Sequence, residues 1–382
     1  MPHNISRLLP SAIHNKLLLR SNPGVTSARV IQRRMTGFGG LLLDKARFVP
    51  FSVRRWLTRR SDSQLGATAG RLARTTGTYL VSYSYYGFDG FRALGRSDML
   101  FQLHPHPATI RRLLNEEMAA HPESADSLRM EWELSLPEHD FDHLVMETQM
   151  ARSFIVASSF TRDSLIENGA VPSAIRVVPY GVDLLRFHPR TQSPKPADGP
   201  LKLLFVGRIN QRKGLRYLVE ALQQLPHGMV ELAICGRVLD SVEGLGNCSI
   251  PILIRPSISN EELVVAYQEA DLFVLPSLAE GFGQVLLEAL ASGLPILSTT
   301  RTAAPDLIED GAQGFIVEPQ RSDLLADRIT WAAEHRRELG AMGIAARKRA
   351  ELFTWERFRT AAAAAVEDFM SEAVPQPERG AF

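Results

Sequence analysis

The stretch from residue 271 to 299, DLFVLPSLAEGFGQVLLEALASGLPILST, decides the fold prediction. An apolar run, DLFVLPS, leads into a glycine turn, then into a segment of helix formers, QVLLEALASG, and then into a second apolar run, LPILST. Apolar strands that alternate with helices in this way are typical of a parallel sheet covered by helices on both faces. In such a sheet, ligands bind beyond the carboxyl ends of the strands.

The same alternation continues on both sides of this stretch. After residue 200, the predicted strands are LKLLFVG, MVELAICG, IPILI and FIVEP, and the predicted helices are LRYLVEALQQL and NEELVVAYQEA. Before residue 190, the predicted strands are TYLVSYS, MLFQL, FIVASS and IRVVPYGVD, with helices at ATIRRLLNEEM and TRDSLIEN. The proline-rich polar stretch RTQSPKPADGP (190–200) separates the halves, which predicts an α/β protein of two doubly wound domains facing each other.

The composition of the 382-residue chain, with 45% hydrophobic and 22% charged residues, is that of a globular protein. No run of about eighteen apolar residues occurs, so no membrane-spanning helix is expected. The two cysteines, Cys235 and Cys248, lie in neither a CxxC pair nor a Cys/His cluster. Their placement argues against a disulfide framework and a zinc site, indicates a reducing compartment, and leaves Cys235 as a buried strand residue.

Positive charge is concentrated in the first sixty residues. They contain twelve Lys and Arg but one acid, Asp44, so this segment carries +11 and the remainder −10. Leucine clusters and Trp56 lie among the basic residues, which suits docking on an anionic membrane, where each basic residue contributes about 1 kcal/mol. An Arg-rich flexible extension and a targeting segment are the alternatives. No motif of a known nucleic-acid module is evident, so no nucleic acid is expected as a partner.

Basic residues lie in the loop VGRINQRKG (206–214), directly after the predicted strand LKLLF. Arg208 and Lys213 stand in a glycine-bounded loop that leads into a helix. Two cations beside a helix N-terminus form a suitable receptor for a diphosphate. The alternative is that both are solvated loop charges.

A glutamate precedes the glycine turn of the opening stretch. Glu280 is expected at the lip of the cleft, and Gly281 and Gly283 allow backbone amides to approach a ligand closely. The turn is not a dinucleotide fingerprint, because Leu286 occupies the position of the third glycine of GxGxxG.

A second glutamate, Glu288, lies in the helix that follows this turn. It shares a polar stripe with Gln284 and Ser292 on a helix whose other faces are Val, Leu and Ala. Because such a helix is largely buried, its carboxylate should have a partner, and a ribose diol would suit it. The alternative is that the stripe faces water.

Taken together, VGRINQRKGLRYLVEAL and NEELVVAYQEADLFVLPSLAEGFGQVLLEALASGLPILST resemble the donor half of a family 4 retaining glycosyltransferase with the GT-B fold. Glu280 and Glu288 meet the Glu-x7-Glu spacing of that family. Upstream, IVASSFTRDSLIENGAVPSAIRVVPYGVDLLRFHP resembles the segment that ends the first domain, with Tyr180 where the family usually has Asn. The resemblance is strong over residues 151–320 and weak before residue 78.

The resemblance implies a domain organisation. It places an N-terminal acceptor-side domain over residues 1–190, of which residues 1–60 are basic and divergent, and a linker over 191–200. A nucleotide-sugar-binding domain follows over 201–355. The stretch FTWERFRTAAAAAVEDFM (353–370) predicts a long helix, and the resemblance implies that the segment 356–382 returns to the first domain.

The resemblance also implies the roles of individual residues. Arg208 and Lys213 would bind the donor diphosphate. Glu288 would contact the ribose, and Glu280 and His104 would contact the donor sugar. Ile258 would lie beside the base. Near the sugar and the phosphates would lie the backbone amides of Gly281, Phe282, Gly283 and Gln284. His106 is the alternative to His104 as the histidine that faces the sugar, and the sequence does not separate the two.

The sequence departs from the family pattern at two glycine-rich places. Ala303 and Ala304 stand where the family usually has a Gly-Gly pair, so their Cβ atoms are expected to restrict how closely that backbone approaches the donor. The glycine-rich loop expected after the first strand is not evident, and GFGG (37–40) is a stand-in without a convincing strand before it. The acceptor half is therefore expected to be divergent, shortened or rearranged.

The activity implied by the resemblance is transfer of a hexose from a nucleotide-diphosphate sugar, with UDP or GDP as nucleotide, to a hydroxyl acceptor with retention. The acceptor is expected to be a glycan or lipid-linked sugar in cell-surface polysaccharide or glycolipid synthesis. The expected location is cytoplasmic, at the inner face of the membrane if residues 1–60 dock there. No metal or other cofactor is expected, because Arg and Lys can neutralise the departing diphosphate.

Two alternatives to this activity remain open. One is an epimerase or phosphorylase on the same scaffold, which needs no separate acceptor. The other is a non-catalytic nucleotide-sugar-binding homologue, against which the retention of both cations and both glutamates argues.

Overall fold

A computed structural model describes residues 51–190, 199–237, 248 and 250–373. The predictions for residues 1–50, including the GFGG stand-in, and for most of the linker lie outside the described residues. The chain divides into two compact units, Met1–Leu65 and Gly66–Phe382. Helix α1 (Phe51–Thr76) extends across this division, and all other elements within the described residues belong to the second unit. Within the described residues, no helix is both long and apolar enough to cross a bilayer.

The first sheet contains four parallel strands in the order β1-β2-β3-β4. The strands are β1 (Val81–Tyr83), β2 (Met99–Gln102), β3 (Ser153–Val156) and β4 (Ile175–Val177). The helices after α1 are α2 (Gly87–Leu94), α3 (Pro107–Ala120), α4 (Ala125–Leu128), α5 (Trp132–Ser135), α6 (Glu138–Met150) and α7 (Ser159–Glu167). Strand β2 is buried along its whole length because it has a strand on each side and helices on its faces.

The second sheet contains six parallel strands in the order β10-β9-β8-β5-β6-β7. They are β5 (Leu201–Val206), β6 (Val230–Cys235), β7 (Ile252–Arg255), β8 (Leu272–Leu275), β9 (Ile296–Thr299) and β10 (Gly314–Val317). The helices are α8 (Leu215–Gln223), α9 (Asn260–Glu269), α10 (Gln284–Ala291), α11 (Ala304–Leu307), α12 (Ser322–Glu334), α13 (Arg336–Ala350) and α14 (Trp355–Ala373). Cys235 is buried in β6, as its sequence context predicted.

The strand order of the second sheet changes direction between β5 and β8, which pair through Leu203 and Leu272. In a doubly wound sheet this change of direction is the topological switch point, where the loops leaving two neighbouring strands diverge and open a crevice. The loops that carry the predicted site residues, 207–214 and 276–283, are the ones that follow β5 and β8.

The C-terminal helix α14 packs against the first sheet although it follows the second in sequence. Its Ala365 and Phe369 join Met99, Phe101 and Ile155 in one buried apolar cluster. The chain therefore crosses twice between the two sheets, once at residues 178–200 and once before α14. The two parallel sheets confirm the predicted α/β class.

Candidate functional site

The loops after β5 and β8 are bound together at the switch point. The Leu278 amide donates to the Arg212 carbonyl (2.9 Å), and the Arg212 Nε donates to the Ala279 carbonyl (3.1 Å). Gly214 has φ +71°, and a Cβ there would lie 1.9 Å from the Pro276 carbonyl oxygen. A side chain at 214 would force these loops apart, so the glycine fixes how closely they approach.

This packing brings two predicted site residues into contact. The Lys213 Nζ binds the Glu280 carboxylate, and 19% and 17% of their side chains are exposed. The Glu280 amide donates to the Arg301 carbonyl (2.9 Å), which holds the backbone of the second loop against the next one. A lysine and a carboxylate, both largely shielded from water, therefore stand at the carboxyl edge of the sheet.

The surroundings of Lys213 are rich in positive charge. Burial, together with the neighbouring Arg212 and Arg208, lowers the pKa of Lys213 to about 7, against the opposing effect of Glu131. The Glu280 carboxylate in contact with the ammonium also favours its charged form. Arg208 itself is exposed, at the rim of the site. An anion that bound here would meet a focused positive potential.

Arg212 is a site residue that the sequence did not single out. Its guanidinium is 12% exposed and forms ion pairs with Glu131 (3.0 Å) and Glu133 (3.5 Å). Both glutamates belong to the part of the chain that forms the first sheet and its helices, called the first domain below, and the part that forms the second sheet is called the second domain. Burial alone would lower the pKa of Arg212, but the two carboxylates raise it. The basic run RKG is visible in the sequence, whereas its carboxylate partners lie about eighty positions away and follow no motif.

The structure separates the two candidate histidines. His106 is 2% exposed, its Nδ1 accepts from the Ala108 amide (3.2 Å), and its Nε2 contacts the Thr148 hydroxyl (2.9 Å). It caps the N-terminus of α3 and so serves the fold. His104 instead lies within the electrostatic reach of the cations: burial, with smaller contributions from Arg212, Lys213 and Arg208, lowers its pKa to about 4. Its imidazole is therefore neutral at pH 7.

The glycine turn contacts the first domain more closely than the sequence indicated. A Cβ at Gly281 would lie 2.4 Å from the Leu103 carbonyl oxygen and 3.1 Å from the His104 Cα. The Gly281 carbonyl accepts from the hydroxyls of Ser158 (2.5 Å) and Thr161 (3.1 Å). This contact between domains accounts for the glycine at position 281, whereas Gly283 is required because the chain there has φ +81°.

Glu288 lines a cavity whose lining does not include Lys213 or Glu280. Its carboxylate accepts from the Tyr267 hydroxyl (3.0 Å), and burial raises its pKa. The predicted buried carboxylate thus has a protein partner. Glu288 and Gln284 line a cavity of about 350 Å³ together with the segment between the two sheets and Trp355, and the Gln284 amide group donates to the Gly181 carbonyl (2.8 Å).

The remaining predicted residues have mainly packing contacts. Ile258 packs on the core beside the N-terminus of α9. Phe282 is 3% exposed and meets Tyr180, the residue that replaces Asn in the family pattern, at a ring distance of 4.8 Å. Ala303 is fully buried with φ −79°, and its amide donates to the Phe282 carbonyl (3.1 Å). The Cβ atoms at 303–304 therefore fill core space beneath the glycine turn.

Part of the chain that forms this site matches a known protein family. Residues 189–349 match the family described as Glycosyl transferases group 1. The D-inositol 3-phosphate glycosyltransferase of Arthrobacter sp. (strain FB24) is 32% identical over 200 residues, which are 48% of this chain and 47% of that protein. The chain spans about half the length of the curated relatives it matches.

Two solved structures share the fold. Sucrose-phosphate synthase from Thermosynechococcus elongatus has a TM-score of 0.63 and 20% identity, covering 85% of this chain and 81% of that one. HepE of Anabaena in complex with UDP-glucose has a TM-score of 0.58 and 18% identity, with coverage of 80% and 82%. The chain therefore has the GT-B fold, and its residues 189–349 match the glycosyl transferases group 1 family.

Proposed function

We propose that this protein is a retaining glycosyltransferase that moves a sugar from a nucleotide-diphosphate sugar to a hydroxyl acceptor. The observation that carries the proposal is the meeting of Lys213 and Glu280 at the switch point, with Arg208 at the rim and His104 opposite. This arrangement offers cations to a diphosphate and a carboxylate and an imidazole to sugar hydroxyls. The family match over residues 189–349 supports the same activity.

The proposed donor is a UDP- or GDP-sugar. HepE, which shares the fold, binds UDP-glucose, and this favours UDP as the first candidate. In the proposed complex, Arg208 and Lys213 bind the diphosphate, and Lys213 exchanges its contact with Glu280 for a phosphate oxygen. The freed Glu280 carboxylate then accepts hydrogen bonds from the sugar, near the amides of residues 281–284.

Two further donor contacts complete the proposal. Glu288 would accept from the ribose hydroxyls on the wall that it shares with Gln284, and Ile258 would lie beside the base. The carboxylate of Glu288 is already held by Tyr267, so it requires little reorganisation when a diol binds.

The proposed chemistry is front-face attack by the acceptor hydroxyl on the anomeric carbon. The bond from that carbon to the diphosphate breaks, and the departing phosphate oxygen takes the proton of the attacking hydroxyl. Lys213 and Arg208 stabilise the charge that develops on the leaving group, in a role for which a single donor typically contributes roughly 3–4 kcal/mol. Neutral His104 can accept from or donate to a sugar hydroxyl, and no metal is required in this scheme.

The proposed acceptor is a glycan or a lipid-linked sugar, in cell-surface polysaccharide or glycolipid synthesis. The excess of basic residues in segment 1–60 supports docking on an anionic membrane, and hence a cytoplasmic place at the inner membrane face. The relative that acts on D-inositol 3-phosphate makes phosphorylated polyols a sensible second set of acceptors to test.

The test begins with a thermal-shift and calorimetric screen of UDP, GDP, ADP and their common sugars. We expect one nucleotide to stabilise the wild type but neither Arg208→Ala nor Glu288→Ala. The donor so identified is then incubated with candidate acceptors, and the anomeric configuration of the product is read by NMR. Binding of no nucleotide diphosphate to the folded protein would contradict the proposal, and an inverted product would contradict retention.

A further inference from the structure

Two carboxylates of the first domain hold a buried cation of the second. Glu131 immediately precedes the short helix α5, and Glu133 lies in its first turn. Their side chains are 12% and 3% exposed, and both pair with the guanidinium of Arg212. The Asn210 amide group also donates to Glu131 (2.5 Å), so the carboxylate binds two neighbouring residues of one loop.

Arg212 joins these carboxylates to the residues of the proposed donor site. Its Nε donates to the Ala279 carbonyl, directly before Glu280, and its own carbonyl accepts from the Leu278 amide. Lys213 is the next residue in the chain. The position of one guanidinium therefore fixes the backbone on both sides of the contact between Lys213 and Glu280.

Arg212 and its carboxylate partners also affect the charge of Lys213. An arginine buried beside Lys213 and Arg208 opposes the charge on Lys213, and the carboxylate of Glu131 offsets that effect. Without its carboxylates, Arg212 would be a buried and uncompensated charge, which is strongly unfavourable. The first domain thus supplies the negative charge that allows the cations of the second domain to lie together.

We propose that Glu131, Glu133 and Arg212 form an interdomain latch of positioning residues, which couples contact with the first domain to the placement and charge of Lys213. The latch residues act through Lys213 and Glu280. The inference rests on the proposed function for its link to the donor, whereas the latch itself is a property of the apo protein.

Glu117 provides a matched control at the same interface. It is a fully buried carboxylate of the first domain that accepts from the second-domain side chains of Gln211 (2.7 Å), Tyr217 (2.9 Å) and Gln320 (2.5 Å). All three donors are neutral. Loss of this carboxylate therefore weakens the interface without removing a charge paired with Arg212.

The experiment compares the full chain as wild type, Glu131→Gln/Glu133→Gln and Glu117→Gln. UDP binding is measured by calorimetry from pH 6 to 9. The charged groups that face Lys213 are Arg208, Arg212, Glu131 and Glu280, and the neutral imidazole of His104 is a further titratable group there. Removing the negative charge of Glu131 lowers the pKa of Lys213. Because UDP is proposed to bind the charged form of Lys213, its binding should then be lost at a lower pH.

For the double variant we expect UDP affinity at pH 7.5 to fall about tenfold and the pH midpoint to move down by about one unit. Glu117→Gln should leave the midpoint unchanged. If the double variant does not fold, the single variant Glu131→Gln retains Glu133 as a partner of Arg212. Its pH midpoint of UDP binding should move in the same direction but by less. An unchanged midpoint, or an equal shift in Glu117→Gln, would overturn the latch.

Amide hydrogen exchange tests the latch independently of any nucleotide. In the apo protein, we expect residues 276–283 to exchange faster in the double variant than in wild type or Glu117→Gln, because the Leu278 amide loses its fixed acceptor. If wild type binds no nucleotide, the proposed function fails while this readout still decides the latch. Equal exchange in all three proteins would overturn it.

Discussion

The loops at the switch point and the short helices of the first domain bring charge to the same place, but only the loops could be recognised in the sequence. Lys213 and Glu280 lie in local motifs, and the pairing of β5 with β8 makes them neighbours. Glu131 and Glu133 lie at a four-residue helix without sequence periodicity. The comparison indicates that the donor half is encoded locally, whereas its counterpart depends on tertiary packing.

The largest effect is expected from the locally encoded region. Lys213→Ala removes the cation proposed to neutralise the leaving diphosphate, so kcat/KM should fall roughly 10²–10³-fold. The matched control is Lys202→Ala on the same strand-loop unit, whose side chain is 54% exposed and pairs only at 3.8 Å with Glu231. Steady-state kinetics with the identified donor check both, and equal losses in the two variants would show that Lys213 has no special role.

The histidine pair extends the comparison to the first domain. His106→Ala removes a buried helix cap and two hydrogen bonds, so unfolding free energy should fall by about 2–3 kcal/mol, measured by denaturant titration. His104→Ala should change stability by less than about 1 kcal/mol, because its side chain is more exposed than that of His106.

The two histidines should also differ in kinetics. Turnover of His104→Ala should fall roughly ten- to hundredfold through loss of the proposed contact with the sugar. The reverse pattern, with His106→Ala stable but inactive, would mean that the assignment of the two histidines is wrong.

These histidines show where sequence reasoning ends. Both follow the predicted strand MLFQL, two positions apart, and spacing alone could not determine which one caps the next helix. The determining facts are the Thr148 hydroxyl and the distant cations, which only the fold brings close. The strands, the helices of the second half and the neighbouring loops followed from hydrophobic pattern, because parallel strands place their carboxyl ends at one edge.

Glu288 illustrates the same limit. Its burial followed from the apolar faces of α10, but its partner, the Tyr267 hydroxyl, lies on the preceding helix α9 and follows no motif. Helix α1 was not predicted either, since its first part is highly basic and its pattern has no clear apolar stripe. Both results depend on packing partners that local sequence does not reveal.

A smaller effect is expected at the point where the two regions touch. Gly281→Ala places a Cβ 2.4 Å from the Leu103 carbonyl oxygen and should lower unfolding free energy by about 1–3 kcal/mol. Gly340→Ala is the matched control, because it lies within helix α13 with open space around it and should be stabilising by about 0.5–1 kcal/mol. Thermal melts report both, and a neutral Gly281→Ala would mean that the domains separate easily here.

Proton uptake on binding tests most directly whether Lys213 meets the diphosphate of a nucleotide sugar. At pH 8 a lysine with a pKa of about 7 is mostly neutral, and an adjacent diphosphate raises that pKa. Calorimetry in two buffers of different ionisation enthalpy counts the protons. We expect net proton uptake in wild type and none in Lys213→Met. Equal proton counts in the two proteins would contradict this expectation.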